Sequence, residues 1–363
     1  MKMTQFLKWK ADPSKGEVFT PIELVNEMLD NISESIWRNP ESIFLDPCMG
    51  KGTFLIEIVR RLVYIYGYTE HDAKSRVYGY DIRVKYINYL QRRGFVNVRH
   101  KDFLSETIKM KFDAIVGNPP FSKNSKEPKK LWSIFVEKSF SLTKDDGVIS
   151  LITPSSWISI TNYVNDLLKN KLQFVKLSSK VSESFKNVGG TQKFIYFVAK
   201  PNLNNESYLC EFDERTEMRN LCETSFAPVK SSSIHSYNIV KKLKDSDLQV
   251  HNWVRYDKIE DGGGVILPMS KGVSYIVQFQ ETDSYAVSRY KLSNLPQEQL
   301  EAIGQNLNLK IYKLLRWVIR SGPALASNFK SIPIPNFPVS DQELYNILNL
   351  SSEEINYVES NVR

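Results

Sequence analysis

The sequence holds one short string whose residue types could bind an amino group, Asn118-Pro119-Pro120-Phe121 at the end of an apolar run. Two prolines restrict the backbone where the run stops, so the Asn118 side chain and the Pro119 carbonyl become neighbouring acceptors. Two converging acceptors suit the two hydrogens of an exocyclic amino group, and Phe121 offers a flat surface to a planar ring. A proline-terminated strand with an asparagine turn is the purely structural alternative.

A second string, residues 44–55, predicts a strand, a turn that contains Gly50 and Gly52, and then a helix. Glycines let backbone amides approach a ligand at the carboxyl edge of a parallel sheet, where open α/β folds bind nucleotides. The string is not a P-loop, because no glycine stands at the required upstream spacing, and it lacks the third glycine of the dinucleotide fingerprint. A strand-to-helix turn that only needs flexible glycines is the alternative.

Acidic residues follow the next two predicted strands. Asp81 is placed to receive two ribose hydroxyls, and Asp102 could accept from an adenine amino group while Phe103 covers a ring face. Each acid alone could equally be a helix cap or a surface charge. Suitable residue types at three successive strand ends favour a nucleotide site.

The elements that must position these residues alternate between short apolar runs and longer amphipathic stretches, the pattern of strands and helices around a mostly parallel sheet. The predicted strands are Ile43 to Asp46, Arg76 to Asp81, Val96 to Arg99, Phe112 to Gly117, Gly147 to Ile152, Phe174 to Leu177 and Phe194 to Ala199. The predicted helices are Gly52 to Tyr66, Arg83 to Arg93, Lys130 to Ser141 and Trp157 to Lys169. The last two strands leave little room for a crossover helix, so we expect them to be antiparallel.

The character of the sequence changes after Lys200, where asparagine, serine and turn signals multiply, and we predict a domain boundary there. Beyond it, we expect strands at Val265 to Leu267 and Ser274 to Phe279, a helix at Leu307 to Ile319 and an acidic C-terminal helix. Charge follows the same division. Residues 1–200 hold 31 lysines and arginines against 21 acids, and residues 201–363 hold 17 against 20. The positive field of the first part favours a polyanionic partner.

Cysteine and histidine usage argues against metal chemistry. Three cysteines, Cys48, Cys210 and Cys222, are too few and too irregularly spaced for a disulfide framework or a thiolate zinc site, and only four histidines are present. The first ten residues lack the apolar core of a signal peptide. We therefore expect a cytoplasmic protein without a bound metal.

Taken in order, these motifs resemble the S-adenosylmethionine-dependent amino methyltransferases, and within them the gamma-class N6-adenine DNA methyltransferases of restriction-modification systems. The resemblance covers roughly residues 16–200, and residues 16–25 resemble motif X, which precedes the cofactor motif in the gamma arrangement. It implies an α/β fold with a Rossmann-like class I methyltransferase sheet, mostly parallel with a terminal antiparallel strand. It also implies a catalytic domain over residues 1–200 and a smaller mixed target-recognition domain over residues 201–363.

The same resemblance implies a set of site residues. The residues implied to contact the cofactor are Phe19, Thr20, Pro21, Asp46, Pro47, Cys48, Gly50, Gly52, Asp81, Ile82, Asp102 and Phe103. The Thr20 region would contact the methionine end, Asp81 the ribose, and Asp102 with Phe103 the adenine. The catalytic residues are Asn118, Pro119, Pro120 and Phe121, with Phe185 as the second aromatic that sandwiches a flipped base.

The implied reaction is transfer of the cofactor's methyl group to the N6 of an adenine flipped out of duplex DNA. We expect phosphate contacts from the lysines beside the active loop, Lys123, Lys126, Lys129 and Lys130, although a lysine run is often only a solvated loop. A cognate restriction endonuclease is a further expected partner. We expect no fused nuclease, because motif X already begins at residue 16.

Two other functions stay open at this point. Asn-Pro-Pro-Phe/Tyr also occurs in enzymes that methylate a protein glutamine or a ribosomal RNA guanine, although the early motif X and the long C-terminal region favour DNA. The third possibility is a catalytically silent DNA-binding subunit that kept the fold, against which Asp46, Asp81 and Asn118 argue.

Overall fold

The structure is a computed structural model, and it describes residues 18–121, 130–159, 162–185, 193–221, 226–256, 265–267, 289–292, 295–319 and 330–362. These residues divide into two compact units. One is drawn from Met1–Ser155 and Tyr163–Leu221, and the other from Ser156–Asn162 and Cys222–Arg363. Within the described ranges, no helix combines the length and apolar character needed to cross a bilayer.

The first unit is built on a nine-stranded sheet. Its strands are β1 (Phe44–Asp46), β2 (Val77–Asp81), β3 (Asn97–His100), β4 (Phe112–Gly117), β5 (Thr143–Pro154), β6 (Leu172–Lys176), β7 (Phe194–Ala199), β8 (Ser207–Glu211) and β9 (Thr216–Asn220). All seven strands predicted from the sequence are present, with ends shifted by a few residues. Beta1, β4 and β7 are buried throughout, as expected of strands covered on both faces.

The strand order is β3-β2-β1-β4-β5-β7-β6-β8-β9. The first five strands in this order pair in parallel, and β7 lies between β5 and β6, antiparallel to both. The predicted mostly parallel, Rossmann-like sheet is therefore confirmed, including the antiparallel pairing of its last two predicted strands. Beta7 is internal, because β6, β8 and β9 continue the sheet beyond it, and the terminal strand β9 is also antiparallel to its neighbour β8.

Helices connect and cover the strands of this unit. They are α1 (Ile22–Asp30), α2 (Glu34–Arg38), α3 (Thr53–Tyr64), α4 (Glu70–Ser75), α5 (Val84–Gln91), α6 (Leu131–Leu142), α7 (Tyr163–Leu168) and α8 (Ser179–Glu183). The long helix predicted from Trp157 to Lys169 is shorter than expected: Ser155–Ile158 form a 3-10 turn, and α7 begins only at Tyr163.

The boundary between the units lies near Leu221 rather than at Lys200. Beta8 pairs in parallel with β6, and β9 pairs antiparallel with β8, so both strands extend the sheet of the first unit. Turn-forming residues around 201–206 only connect two strands of the same sheet. The change in composition at Lys200 marks the end of the motif-bearing strands, not the end of the compact unit.

The second unit is mixed, as predicted. Its described elements are α9 (Ile234–Lys244), the three-stranded antiparallel sheet of β10 (Val254–Tyr256), β11 (Val265–Leu267) and β12 (Arg289–Leu292), and the helices α10 (Gln297–Asn306), α11 (Lys310–Val318), α12 (Asp341–Ile347) and α13 (Ser352–Asn361). The strand predicted at Ser274 to Phe279 lies outside the described residues. Both C-terminal helices begin with a capping box, from Ser340 to Glu343 and from Ser351 to Glu354.

Candidate active site

The predicted site residues meet at the carboxyl ends of the central strands. Beta1 pairs with β2 on one side and with β4 on the other, so Asp46, Asp81 and Gly117 end neighbouring strands. The turn after β1 leads directly into α3. This edge is where open α/β sheets place their ligands, because loops after parallel strands converge there.

The turn between β1 and α3 is held in shape by its glycines and by Asp81. Gly50 and Gly52 have φ values of +50° and +82°, a region that favours glycine. A Cβ on Gly52 would also lie 2.7 Å from the Leu90 side chain, whereas a Cβ on Gly50 would meet nothing within 4 Å. The backbone N–H of Gly50 donates to Asp81 Oδ2 at 2.9 Å. The turn therefore presents its Gly50 side to open space.

Asp81 is buried, and its carboxylate accepts hydrogen bonds from two backbone N–H groups that the sequence did not indicate. Its Oδ1 accepts from the backbone N–H of Arg83 at 2.8 Å, while its Oδ2 holds the Gly50 turn. These two bonds hold the carboxylate at the end of β2, beside the Gly50 turn. The predicted contact with a ribose stays a prediction.

Asp46 is a buried carboxyl group in the centre of this edge. Burial raises its pKa to about 7, and the nearby Asp81 contributes in the same direction, against the hydrogen bond from the Cys48 backbone N–H at 3.0 Å. A Cβ at position 117 would lie 2.9 Å from Asp46 Oδ1, so β4 has to end in glycine. The carboxyl group is thus packed directly beneath the start of the Asn-Pro-Pro-Phe string.

Cys48 connects the turn after β1 to the string after β4. The backbone N–H of Asn118 hydrogen-bonds the Cys48 sulfur, although burial dominates and raises the pKa of this thiol. A thiol with a raised pKa is a weak nucleophile at neutral pH. We therefore assign Cys48 to holding the loop in place.

Asn118 is the side chain at this edge that could receive an amino group. Its side-chain Nδ2 donates to Thr20 Oγ1 at 3.3 Å. Its Oδ1 is buried and accepts no hydrogen bond from the residues that the structure describes. Buried acceptors are rarely left unpaired, and an unpaired one in a native structure indicates a missing ligand group or water.

Thr20 of motif X contacts Asn118 at this edge, and the predicted cofactor contacts of Phe19, Thr20 and Pro21 stay predictions. The Phe19 ring contacts Tyr86 edge-on at 6.2 Å, and Lys51 Nζ lies 4.6 Å from the centre of the same ring. Burial lowers the pKa of Lys51. Pro21 precedes α1, and its carbonyl accepts from Val25 N–H. The part of motif X before residue 18 lies outside the described residues.

Phe121 was predicted to share a base with Phe185, but the ring that it contacts in the structure is Phe194. The rings of Phe121 and Phe194 stack with centroids 4.7 Å apart and planes at 24°. Phe185 is buried, with 4% of its surface exposed, and meets Phe194 edge-on at 5.7 Å. Phe194 therefore covers Phe121, and Phe185 packs against Phe194. Ser182 Oγ accepts a hydrogen bond from the Phe194 N–H and so connects β7 to α8.

The residues predicted to surround an adenine also separate into two groups. Phe103 is 2% exposed and packs in the core, between Phe135 at 5.4 Å and the Lys138 ammonium at 4.9 Å, so the expected open ring face is not present. Asp102 is exposed and accepts from Leu104 N–H. Ile82 is 63% exposed directly after β2 and offers an apolar surface beside Asp81.

The predicted phosphate-binding lysines are only partly described. Lys123, Lys126 and Lys129 lie outside the described residues. Lys130 is exposed and stands immediately before α6, where its carbonyl accepts from Ser133. Separately, in the part of the chain that the structure describes, no three histidine, cysteine or acidic side chains are grouped as metal ligands.

Three residues of this site were not predicted from the sequence. Phe194 was assigned only to a strand, and Gly117 and Lys51 were not singled out. The Gly at the end of a buried strand, directly before Asn118, was the one available signal, since glycine there indicates a close approach of another group. Nothing in the linear pattern distinguished Phe194 from the other apolar residues of β7.

Comparison with known proteins gives a family match and several relatives. Residues 52–185 match the family model described as Eco57I restriction-modification methylase. The chain is 29% identical over 166 residues to the type II methyltransferase M.VspI of Vibrio sp. (strain 343), covering 43% of this chain and 37% of that protein. It is 24% identical over 277 residues to the type II methyltransferase M.HincII of Haemophilus influenzae, covering 68% of this chain and 49% of the relative.

Solved structures show weaker likenesses. A modification subunit of a putative type I restriction enzyme from Vibrio vulnificus YJ016 has a TM-score of 0.43 and 14% identity, covering 62% of this chain and 52% of that one. The EcoKI M protein of a type I restriction enzyme has a TM-score of 0.42 and 14% identity, covering 54% and 48%. The match to each of the two curated relatives spans less than half of that relative's length.

Proposed function

We propose that the protein is a DNA methyltransferase specific for the N6 of adenine, because residues 52–185 match the family model described as Eco57I restriction-modification methylase. The observation that carries the proposal is the buried Oδ1 of Asn118, which lacks a partner among the described residues at the ligand-binding edge of the sheet. An acceptor in this position suits the hydrogen of an amino group that has been brought to it.

S-adenosylmethionine fits the neighbouring surface as methyl donor. The open side of Gly50, the exposed Ile82 and the carboxylate of Asp81 provide a backbone edge, an apolar surface and a hydroxyl acceptor. Phe19 and Thr20 border the same edge. When bound, the cofactor supplies an electrophilic methyl group on a sulfonium.

Asn118 and Pro119 would hold the adenine amino group during transfer. The nitrogen lone pair of this group is delocalised into the ring, which makes the nitrogen a weak nucleophile. Acceptors on both N–H groups, Asn118 Oδ1 and the Pro119 carbonyl, draw the hydrogens to one side and localise the lone pair toward the methyl group. No strong base is needed before attack, since the proton can leave afterwards.

Phe121 would supply the aromatic face for the base. Adenine N6 is paired and stacked within a duplex, so the nucleotide has to rotate out before it reaches Asn118. The Phe121–Phe194 contact then has to open, because ring centroids 4.7 Å apart leave no space for an inserted base. Phe185 would support Phe194 from behind rather than touch the base.

Duplex DNA is the proposed partner, with the basic first 200 residues providing phosphate attraction and the second unit reading the sequence. Membership of a restriction-modification family supports a cognate endonuclease as a second partner and a cytoplasmic site of action. The lysines from 123 to 130 remain the proposed phosphate contacts.

The decisive experiment is methyl transfer from tritiated S-adenosylmethionine, with duplex DNA, ribosomal RNA and protein offered in parallel. We expect label only in DNA, and recovery of N6-methyladenine after digestion to nucleosides. Asn118→Ala serves as the inactive control. Label in RNA or protein would favour the other amino methyltransferases, and cofactor-independent DNA binding without transfer would favour a silent subunit.

A further inference from the structure

Thr20 contacts the side chain on which the proposed chemistry depends. Its Oγ1 accepts the hydrogen bond from Asn118 Nδ2 at 3.3 Å, and only 7% of the threonine surface is exposed. The two residues are 98 positions apart in the sequence. The sequence assigned Thr20 to the cofactor, and nothing in the motifs indicated that it touches Asn118.

Helix α1, which begins just after Thr20, is fixed to the unit by partly buried polar contacts. Arg61 of α3 donates to Asp30 at 2.7 Å and to the Asn26 carbonyl at 2.9 Å. Glu27 forms an ion pair with Lys176 of β6 at 2.6 Å and accepts a hydrogen bond from the Tyr196 hydroxyl of β7 at 2.7 Å. Thr20 is therefore attached to a helix that is anchored on both α3 and the sheet.

Thr20 bonds the nitrogen end of the Asn118 amide, so the oxygen is the end left for a substrate group. An asparagine side chain has two donors at its nitrogen and two acceptor lone pairs at its oxygen. With the nitrogen bonded to Thr20, the oxygen is the atom left buried without a described partner. With the amide reversed, two N–H groups would face the N–H groups of an incoming amino nitrogen, and the acceptor would be lost.

The backbone of Asn118 is restrained independently, through its N–H bond to the Cys48 sulfur. Pro119 limits the backbone further, since a residue before proline is confined to extended conformations. The side-chain rotation is thus the main freedom left to Asn118, and Thr20 is the described side chain that restrains it.

We propose that Thr20 is a positioning residue that acts through Asn118 and keeps the amide oxygen directed at the substrate amino group. This inference rests on the proposed function and deepens it. Thr20 does not itself need to touch the reacting atoms. Its effect appears in the rate of methyl transfer and not in the affinity for S-adenosylmethionine.

The test compares Thr20→Val, which keeps the shape but removes the hydroxyl, with Thr20→Ser, which keeps the hydroxyl. A hydrogen bond is worth about 1 kcal/mol, so we expect kcat to fall about five- to tenfold in Thr20→Val. We expect Thr20→Ser to retain most of the rate. The calorimetric Kd for S-adenosylmethionine should be the same in all three proteins. A weakened Kd with an unchanged kcat would overturn the inference and make Thr20 a cofactor contact.

Thr143→Val is the matched control. The Thr143 hydroxyl is buried and donates to the Ser139 carbonyl. Thr143 is the first residue of β5 and pairs with Phe112, the first residue of β4, whereas Asn118 follows the last residue of β4. It removes one buried hydroxyl without approaching Asn118. Circular dichroism and urea unfolding should show all variants folded. A fall in kcat of equal size in Thr143→Val would assign the Thr20 effect to general loss of stability.

A second measurement does not depend on activity. In protein labelled with ¹⁵N-asparagine, the side-chain amide signals of Asn118 are assigned by their absence in Asn118→Ala. We expect these signals to shift in Thr20→Val and to stay close to wild type in Thr20→Ser and Thr143→Val. Unshifted signals in Thr20→Val would contradict the contact itself. Shifted signals in a protein that methylates no DNA would retain the positioning role and reject the proposed function.

Discussion

At the scale of single residues, the site is organised around one amide oxygen. Asn118 is held through its backbone by Cys48 and through its side-chain nitrogen by Thr20, which leaves Oδ1 buried with no partner in the described part of the chain. Leaving such an acceptor unpaired costs about 1–3 kcal/mol in the ligand-free protein. A substrate amino group would relieve that cost when it binds.

Asn118→Ala should abolish methyl transfer while the calorimetric affinity for S-adenosylmethionine stays within about twofold of wild type. The substitution removes an acceptor aligned on the attacking nitrogen but leaves the Gly50 turn and Asp81 in place. Asp81→Ala should show the opposite pattern, with weakened cofactor binding, because it removes the carboxylate that holds the turn. Near-wild-type turnover in Asn118→Ala would disprove the proposed active site.

Asp46 makes stability depend on pH in an unusual direction. An unfolded aspartate loses its proton near pH 3.9, whereas the folded Asp46 keeps it up to about pH 7. Between these values the folded chain binds more protons than the unfolded chain, so the free energy of unfolding falls as the pH rises. Asp46→Asn should remove this contribution, which urea unfolding at pH 5, 6 and 7 would measure.

The control for that measurement is Asp146→Asn, which changes an exposed carboxylate near the start of β5. It should leave the pH dependence as in wild type. Should Asp46→Asn and wild type lose stability in parallel between pH 5 and 7, the buried carboxyl group would have an ordinary pKa and the assignment would be wrong.

Residue types and spacing predicted much of this site, because a strand-terminal acid or a proline-flanked asparagine is a local pattern. Asp46, Asp81, Asn118 and the two turn glycines were found in this way and lie together. The roles of Phe194 and Phe103 could not be predicted, since both are decided by packing against residues distant in the sequence. Phe103 is covered by Phe135, and Phe194 covers Phe121.

At the scale of elements, α1 is held by an ion-pair hub that the sequence did not indicate. Lys176 is buried in β6 and pairs with Glu27 at 2.6 Å and with Glu211 of β8 at 2.9 Å. Burial alone lowers the pKa of Lys176, but the hydrogen bonds that its ammonium donates to both glutamates outweigh burial and leave the pKa raised. The hub joins α1 to two neighbouring strands.

Lys176→Met should lower the free energy of unfolding by about 1–3 kcal/mol and speed hydrogen exchange in α1, because both glutamates lose their common partner. Urea unfolding and amide exchange by mass spectrometry would measure the two effects. Arg38→Met is the control, since it removes an exposed ion pair with Glu34 in α2 worth at most about 0.5 kcal/mol. Equal effects of the two substitutions would contradict the hub.

The strands were predictable because each is a short apolar run bounded by turn residues, and the parallel order follows from alternation with helices. Beta8 and β9 were missed. Beta8 alternates between buried and exposed positions, and β9 has no buried residue, so neither forms the continuous apolar run on which the other predictions rested. Their pairing depends on the open edge of β6, which is a property of the assembled sheet.

At the scale of the whole molecule, the chain divides into two compact units. The boundary between them decides where the chain can be shortened without breaking the first unit. Beta8 covers β6 in parallel register from Phe174 opposite Leu209 to Lys176 opposite Glu211. Tyr208, Cys210 and Phe212 are buried in the same region. The first unit is therefore incomplete if the chain is cut where its composition changes.

A chain that ends at Leu221 should unfold at a higher urea concentration than a chain that ends at Lys200. The shorter chain exposes the edge of β6 and loses the buried side chains of β8, which also makes it prone to aggregation. Urea unfolding and light scattering would compare them. Equal stability and solubility would place the boundary back at Lys200.

The Leu221 chain should also bind S-adenosylmethionine but lose sequence-selective methylation, if the second unit reads the DNA sequence as proposed. Calorimetry would measure binding, and sequencing of modified adenines in DNA exposed to each chain would measure selectivity. Methylation of the same sites with the same preference would assign target recognition to the first unit.

The stacked rings of Phe121 and Phe194 have a consequence for how long an extruded base stays bound. An aromatic pair is worth about 0.5–1.5 kcal/mol, and stacking of a base on an aromatic ring about 1–3 kcal/mol. Replacing one contact by the other is nearly an even exchange, so stacking alone would retain any base only briefly. On the proposed function, dwell time then distinguishes the bases: an adenine that gives its amino hydrogens to Asn118 stays, and a thymine without an amino group returns to the duplex before transfer.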